Sequence, residues 1–346
     1  MKPKSQIRNR SKQIWPCVGI SCASLLVLAV TAMAQTTTKT ASNNPTTSPA
    51  GPEGFATPQQ AADALIKAAD KFDVPLLARI FGRDGEDIVE TGEPARDRER
   101  AETFAAEARE KTTVSVDPKN ANRAFLVIGK EDWPFPVPIV KRNNQWVFDA
   151  KAGREEILNR RIGRDELDAI QICHGYVEAQ HEYALEKRQG YDVNQYAQRI
   201  ISTPGKQDGL AWRNPDGTWG GPVGEKIAQA IEKGYTSKAE PYHGYFFKVL
   251  KGQGPAAPLG QMDYIIKGVM IGGFALVAAP AEYRVTGVKT FIVGPQGIVY
   301  QKDLGPDTLT IAKGIELFDP DKTWQPTDDQ WPSDSDNNEA AETAKQ

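Results

Sequence analysis

Residues 1–34 limit what this chain can fold into, because they read as a segment that the folded protein no longer carries. Lys2, Lys4, Arg8, Arg10 and Lys12 form a cationic start without an acid. The apolar run Val18 to Ala34 follows, with Leu25, Leu26, Val27, Leu28 and Val30 inside it. These are the charged and apolar regions of a secretory signal peptide. The run ends in Ala32, Met33 and Ala34 before Gln35, and small residues at the outer positions place the expected cleavage after Ala34. It is shorter than the roughly 20 apolar residues a spanning helix requires, so no stable membrane span is expected after cleavage. Cys22 follows Gly19, Ile20 and Ser21, without the Leu three residues earlier that a lipid-anchored cysteine has, so no lipid anchor is expected. Cys17 and Cys22 leave with the signal and Cys173 alone remains. Such a chain closes no internal disulfide and must be held by packing. The expected address is the periplasm or the extracellular space.

Residues 35–54 are rich in Thr, Ser, Asn, Ala and Pro, too polar to offset the entropy of ordering, and read as a disordered linker. Residues 324–346 carry Asp328, Asp329, Asp334, Asp336, Glu339 and Glu342, with almost nothing apolar after Trp331, and read as an acidic disordered tail. At about 100–200 residues per domain, the remainder predicts two domains. The polar stretch Asp149 to Gly163 supplies the joint, giving an N-terminal unit over 55–160 and a C-terminal unit over 161–323.

The N-terminal unit opens at Thr57, an N-cap followed by Pro58, with Ala61, Leu65, Ala68 and Ala69 at helical spacing. Further helices are expected over Pro75 to Phe81 and Arg98 to Lys111. Strands are expected over Ala124 to Ile128, Val137 to Val140 and Gln145 to Phe148, the last two joined at Arg142, Asn143 and Asn144. Helices on a small antiparallel sheet make an α+β unit, similar in layout to the cone-shaped nuclear-transport-factor-2-like folds. The C-terminal unit is expected to begin with a long helix from Asp165 to about Lys187, striped by Leu167, Ile170, Cys173 and Val177. A helix over Val223 to Lys233 and a meander of Tyr245 to Leu250, Gly273 to Ala279, Val288 to Val293 and Ile298 to Gln301 follow, with Gly294 to Gly297 as a hairpin turn.

Several phrases carry a family resemblance: Tyr176, Ala179, Gln180 and Tyr183; Ser202 to Lys206 with Asp208 to Leu210 and Trp212; Gly244 to Phe247; Gly273 to Ala278 with Pro280, Glu282 and Tyr283; and Gly297, Val299, Tyr300 with Asp303 to Gly305. With Trp146, Phe148, Asp149, Gly153 and Arg160 to Gly163, the chain resembles the exported bacterial family called domain of unknown function 2950 over nearly all of 55–323. The resemblance implies a compartment and no mechanism. Relatives tend to have Ser-Pro-Leu-Gly where this chain has Gly221, Pro222, Val223 and Gly224, so a chemical role for that serine would be missing here. The order of long helix, variable loop and strand series also resembles the globular head of type IV pilin-like proteins, without their apolar mature N-terminus.

Candidate chemistry centres on the long helix. His174, Glu178, His181 and Glu182 share one side of it and could meet a metal ion, yet His174 and His181 are about 10.5 Å apart in rise, and the solvated face of a helix explains the same residues. Tyr242, His243 and Tyr245 form an aromatic cluster at the head of a strand that either stacks on a sugar or peptide or packs in the core. Trp212 and Trp219 bracket the turn Asn214 to Gly217 and either present two indoles to a partner or lie half-buried. The stretch Ser202 to Lys206 lacks the order of a phosphate loop and reads as turns. There is no Gly-x-Ser-x-Gly nucleophile elbow, and Cys173 falls on the apolar helix face as a small core residue.

The net charge of −3 offers no basic field for nucleic acid. The expected function is an exported, non-enzymatic protein that binds another protein or a cell-envelope ligand and needs no cofactor. The alternative is a periplasmic hydrolase or metal-dependent enzyme whose site lies near the helix of His174 and His181.

Overall fold

The computed structural model describes residues 51–188, 190–224 and 241–329. The expected signal peptide, linker residues 35–50, the helix expected from Val223 beyond Gly224, and the tail from 330 lie outside the described residues.

Helix α1 spans Pro58–Asp70 and begins as the sequence requires: Thr57 is extended and its hydroxyl accepts from the Gln60 amide. Ala61, Ala62, Leu65, Ala68 and Ala69 bury one face. Helix α2 (Val74–Phe81) is capped by Asp73. A short α3 (Glu86–Val89) and α4 (Pro94–Glu110) follow. Strands β1 (Thr112–Asp117), β2 (Asn120–Ile128), β3 (Trp133–Pro134), β4 (Ile139–Arg142) and β5 (Gln145–Phe148) form an antiparallel sheet in the order β1-β2-β4-β5, with β3 also on β2. Residues on β2 alternate, so Ala124, Leu126 and Ile128 enter the core beneath α1 and α2. The two-residue turn between β4 and β5 holds Asn143 at φ 49° and Asn144 at φ 61°, the paired left-handed geometry that matches strand twist and that Asn tolerates.

The joint expected between the two units is helix. Helix α5 runs unbroken from Ala150 to Tyr183, capped by Asp149, and the charges that suggested a linker ride on its surface. Glu and Arg are good helix formers, and Glu156 pairs with Arg160 one turn on at 2.7 Å.

Beyond α5, β6 (Arg199–Ile201), β7 (Gly209–Arg213) and β8 (Trp219–Gly220) make a small sheet. The second large sheet is built from β9 (Tyr245–Leu250), β14 (Ala275–Pro280), β15 (Lys289–Val293), β16 (Val299–Asp303) and β17 (Gln325–Pro326), in the antiparallel order β17-β16-β15-β14-β9. Between β9 and β14 lie the ribbons of β10 (Gly252–Gln253) with β11 (Met262–Asp263) and β12 (Ile265–Ile266) with β13 (Val269–Met270). Every residue of β14 is buried, with α5 and α6 (Thr308–Gly314) both against it. Two polar clamps seat α5. The buried Gln180 amide donates to the Ala197 carbonyl and accepts from its amide, and Glu166 accepts from the amides of Val288 and Lys289.

The architecture is α+β, as expected, and each sheet has its own apolar cluster. One contains Leu65, Phe81, Leu126 and Phe148, and the other Cys173, Val177, Tyr245 and Phe291. The ordered chain passes the expected start of the acidic tail: Trp324 packs on the second cluster and β17 pairs with β16.

Candidate functional site

A cavity of about 860 Å³ lies between α1, α2, α3, α4 and the β2–β3 edge. Its wall is made by Leu65 and Ala69 from α1, Leu77 and Phe81 from α2, Ile88 and Val89 from α3, and Phe104 from α4, with Ile128, Trp133 and Phe135 opposite. Phe135 is the hub of the rings, with Phe104 at 5.1 Å, Trp133 at 6.3 Å and Phe81 at 6.4 Å between centroids. Trp133 is 41% exposed at the mouth, with Arg160 stacked 5.3 Å from its centre. Asp97 is buried beside the cavity and accepts from the amide and hydroxyl of Thr91.

One wall residue is held in an unfavourable backbone state. Phe72 has φ 47°; its amide donates to the Ala69 carbonyl while that of Asp73 donates to Ala68. These are the two bonds of a Schellman helix end, in which the left-handed position is ordinarily Gly because a Cβ there is strained. A bulky ring at that position and in the wall of a cavity is the kind of strain that accumulates at sites with a use.

A second cavity of about 430 Å³ lies beside α5 and is lined by three of the expected site residues, Glu178, Tyr242 and His243, together with Asp168, which the sequence did not single out. Tyr242 and Tyr245 exchange backbone hydrogen bonds around a turn with His243 at φ 47° and Gly244 at φ 74°. The turn sets the imidazole on the rim, with Nδ1 2.6 Å from Asp168 Oδ2. Burial, and then the Asp168 charge, push the Tyr242 hydroxyl above its ordinary range. Burial likewise raises Asp165 on the same stretch of helix, against the lowering pull of Arg164 and Arg161.

The structure does not assemble the metal constellation expected on α5. His174 is buried and its Nε2 meets Asp329 Oδ2 at 2.5 Å, whereas His181 is exposed and edges onto Phe274. Glu178 is exposed and lines the second cavity without either histidine. No group of three metal-capable side chains occurs among the described residues. Seven positions apart, His174 and His181 fall on nearly the same side of α5 but about 10.5 Å apart along its axis, and different neighbours meet them there.

The aromatic expectations also divide. Tyr245 is fully buried, its hydroxyl donating to the Lys289 carbonyl, and burial raises that hydroxyl strongly. It is a core residue, because strand alternation turns it inward. Trp212 is 8% exposed, within the second core, under the Arg188 guanidinium. Trp219 pairs across the ladder with Arg213, not Trp212, and Arg213 covers its ring at 4.1 Å. The two indoles therefore form no joint surface. Of that set, Tyr242 and His243 line the second cavity.

A family model described as "Protein of unknown function (DUF2950)" matches residues 53–327. No curated protein and no solved structure matches the chain. No described helix is long and apolar enough to cross a membrane.

Proposed function

From the premise that the chain belongs to the DUF2950 family, we propose that it is an exported, non-enzymatic binding protein that holds an apolar small molecule in the cavity between α1–α4 and β2–β3. The observation that carries this reading is the cavity itself: about 860 Å³, walled by aromatic and aliphatic side chains, with a strained Phe72 in the wall. Drug-sized ligands occupy pockets of about 300–1,000 Å³ with such linings. Titration with a neutral fluorescent probe such as N-phenyl-1-naphthylamine tests it. Saturable binding at one site, abolished by filling the cavity with Ala101→Trp, is the expected result. A linear, unsaturable signal from the native protein defeats the reading.

A second reading, hydrolysis in the smaller cavity, has one observation in its favour, the contact of His243 with Asp168. A carboxylate so placed orients an imidazole as a general base. The lining there contains no Ser, Thr or Cys among the described residues, so water would be the nucleophile. Turnover of nitrophenyl esters, phosphates or glycosides that is lost in His243→Gln would favour this reading.

A further inference from the structure

The mouth of the larger cavity differs in character from its wall. The charged residues lining it are Asp97, Glu99, Glu107, Glu110 and Glu131 against only Arg100 and Lys130. Both bases already face acids: Arg100 Nη1 lies 3.7 Å from Asp97 Oδ1, and Lys130 Nζ lies 3.4 Å from Glu110 Oε1. Glu99, Glu107 and Glu131 have no ion pair among the described residues. Glu107 is half-buried on α4, one turn beyond Phe104, and its side chain packs beside Gly129 on the opposite wall.

We infer that the ligand is an amphipathic cation, an alkyl or aryl body carrying one ammonium group, with the body among the rings and the ammonium at Glu107. This rests on the cavity being the ligand site proposed above. Two independent features of the lining select this class. The unmatched carboxylates attract a cation and repel an anion, so a fatty carboxylate of equal length is disfavoured at the same mouth. Phe72 and Trp133 already carry the guanidinium groups of Arg98 and Arg160, and the negative faces of Phe104 and Phe135 add cation–π attraction for the ligand, strongest for weakly hydrated ammonium groups. A neutral amphiphile would use the wall and forgo the mouth.

Displacement of N-phenyl-1-naphthylamine from the intact protein by dodecyltrimethylammonium and dodecanoate, each below its micellar concentration, and by dodecanol below its solubility limit separates the claims. The cation is expected to displace the probe at a concentration about tenfold or more below that of the carboxylate, with the alcohol between them. Glu107→Gln is expected to shrink that gap several-fold while leaving the dodecanol value in place, and about 1 M salt is expected to shrink it in the native protein. If the probe binds and the three chains compete equally, or the carboxylate competes best, the charge inference is overturned and the binding reading stands. If the probe does not bind at all, both fall.

Discussion

His174 and Asp329, 155 positions apart, meet at 2.5 Å and tie the segment after β17 to the C-terminal third of α5. His174 is 10% exposed at its side chain and Asp329 27%, so water replaces neither partner fully. Taking away one member of such a pair costs about 1–3 kcal/mol. Asp329→Ala is therefore expected to lower the unfolding free energy by about that amount in a urea titration at neutral pH. A value indistinguishable from the native protein would show that the contact contributes nothing in solution.

The same carboxylate sets a pH dependence. Burial works to raise Asp329, but hydrogen bonds from Thr327 and His174 outweigh it and hold the group below the ordinary aspartate range. A carboxyl lowered by folding contributes stability in full above its unfolded value, near pH 4, and loses it as pH falls through the folded value. Asp165, raised by burial, has the opposite sign. Comparing native protein with Asp329→Asn cancels the Asp165 contribution. The stability gap between the two should be full near pH 7 and close below about pH 3. A gap that widens on acidification contradicts this sign.

At Phe72 the backbone and the side chain pull in opposite directions. Phe72→Gly removes left-handed strain of roughly 1 kcal/mol and also removes a half-buried ring worth a comparable 1–2 kcal/mol. Stability should thus change by no more than about 1 kcal/mol while the cavity loses part of its wall. Probe affinity is expected to fall about tenfold with little movement in Tm. A large loss of Tm with affinity unchanged would make the residue structural only.

Local signals were legible in the sequence and convergent ones were not. Thr57 with Pro58 announced a helix start, and Asn143 with Asn144 announced a hairpin, because each acts through bonds within a few residues. Strand β1 was missed because Thr112, Thr113, Ser115 and Asp117 leave little apolar alternation. The charge of Asp149 to Gly163 did not announce that α5 begins at Ala150 rather than at Asp165, because charged residues are common on helix surfaces and in loops alike. The larger cavity draws on positions from Leu65 to Phe135, and nothing in the spacing of Phe72, Phe104 and Phe135 states that they meet. The partnership of His243 with Asp168 likewise spans 75 positions. Trp212 and Tyr245 were legible as alternatives, and both lie in the core, Tyr245 on the inward side of β9 and Trp212 on β7, which is buried from Gly209 to Trp212.

Cys173 lies fully buried on the inner face of α5, and burial, with a smaller push from Asp329, raises its thiol far above the ordinary range. The thiolate is the reactive form, so the native residue should be inert. Iodoacetamide at about pH 8 is expected to leave Cys173 unmodified by mass spectrometry in native protein and to label it completely in denaturant. Labelling of the native protein at the denatured rate would place the residue in contact with solvent.

Gly153 is a residue at which helix propensity and packing disagree. In an exposed helix, Gly→Ala gains about 1 kcal/mol. Here a Cβ would sit 2.6 Å from Val137 Cγ2, and Val137 is 0% exposed in the first core. Overpacking of that kind costs about 1–3 kcal/mol, and a rigid β-branched neighbour on the β4 side of the sheet gives way poorly. The clash should win, and Gly153→Ala should destabilise the protein by about 1 kcal/mol net despite improving the helix. Val137→Ala alone opens a cavity and also destabilises, but in the Gly153→Ala background the new methyl occupies the vacated space. The double mutant should therefore be more stable than the sum of the single losses by about 1 kcal/mol or more, a coupling that a thermodynamic cycle measures directly. Additive losses would mean that position 153 of α5 and Val137 are not in contact.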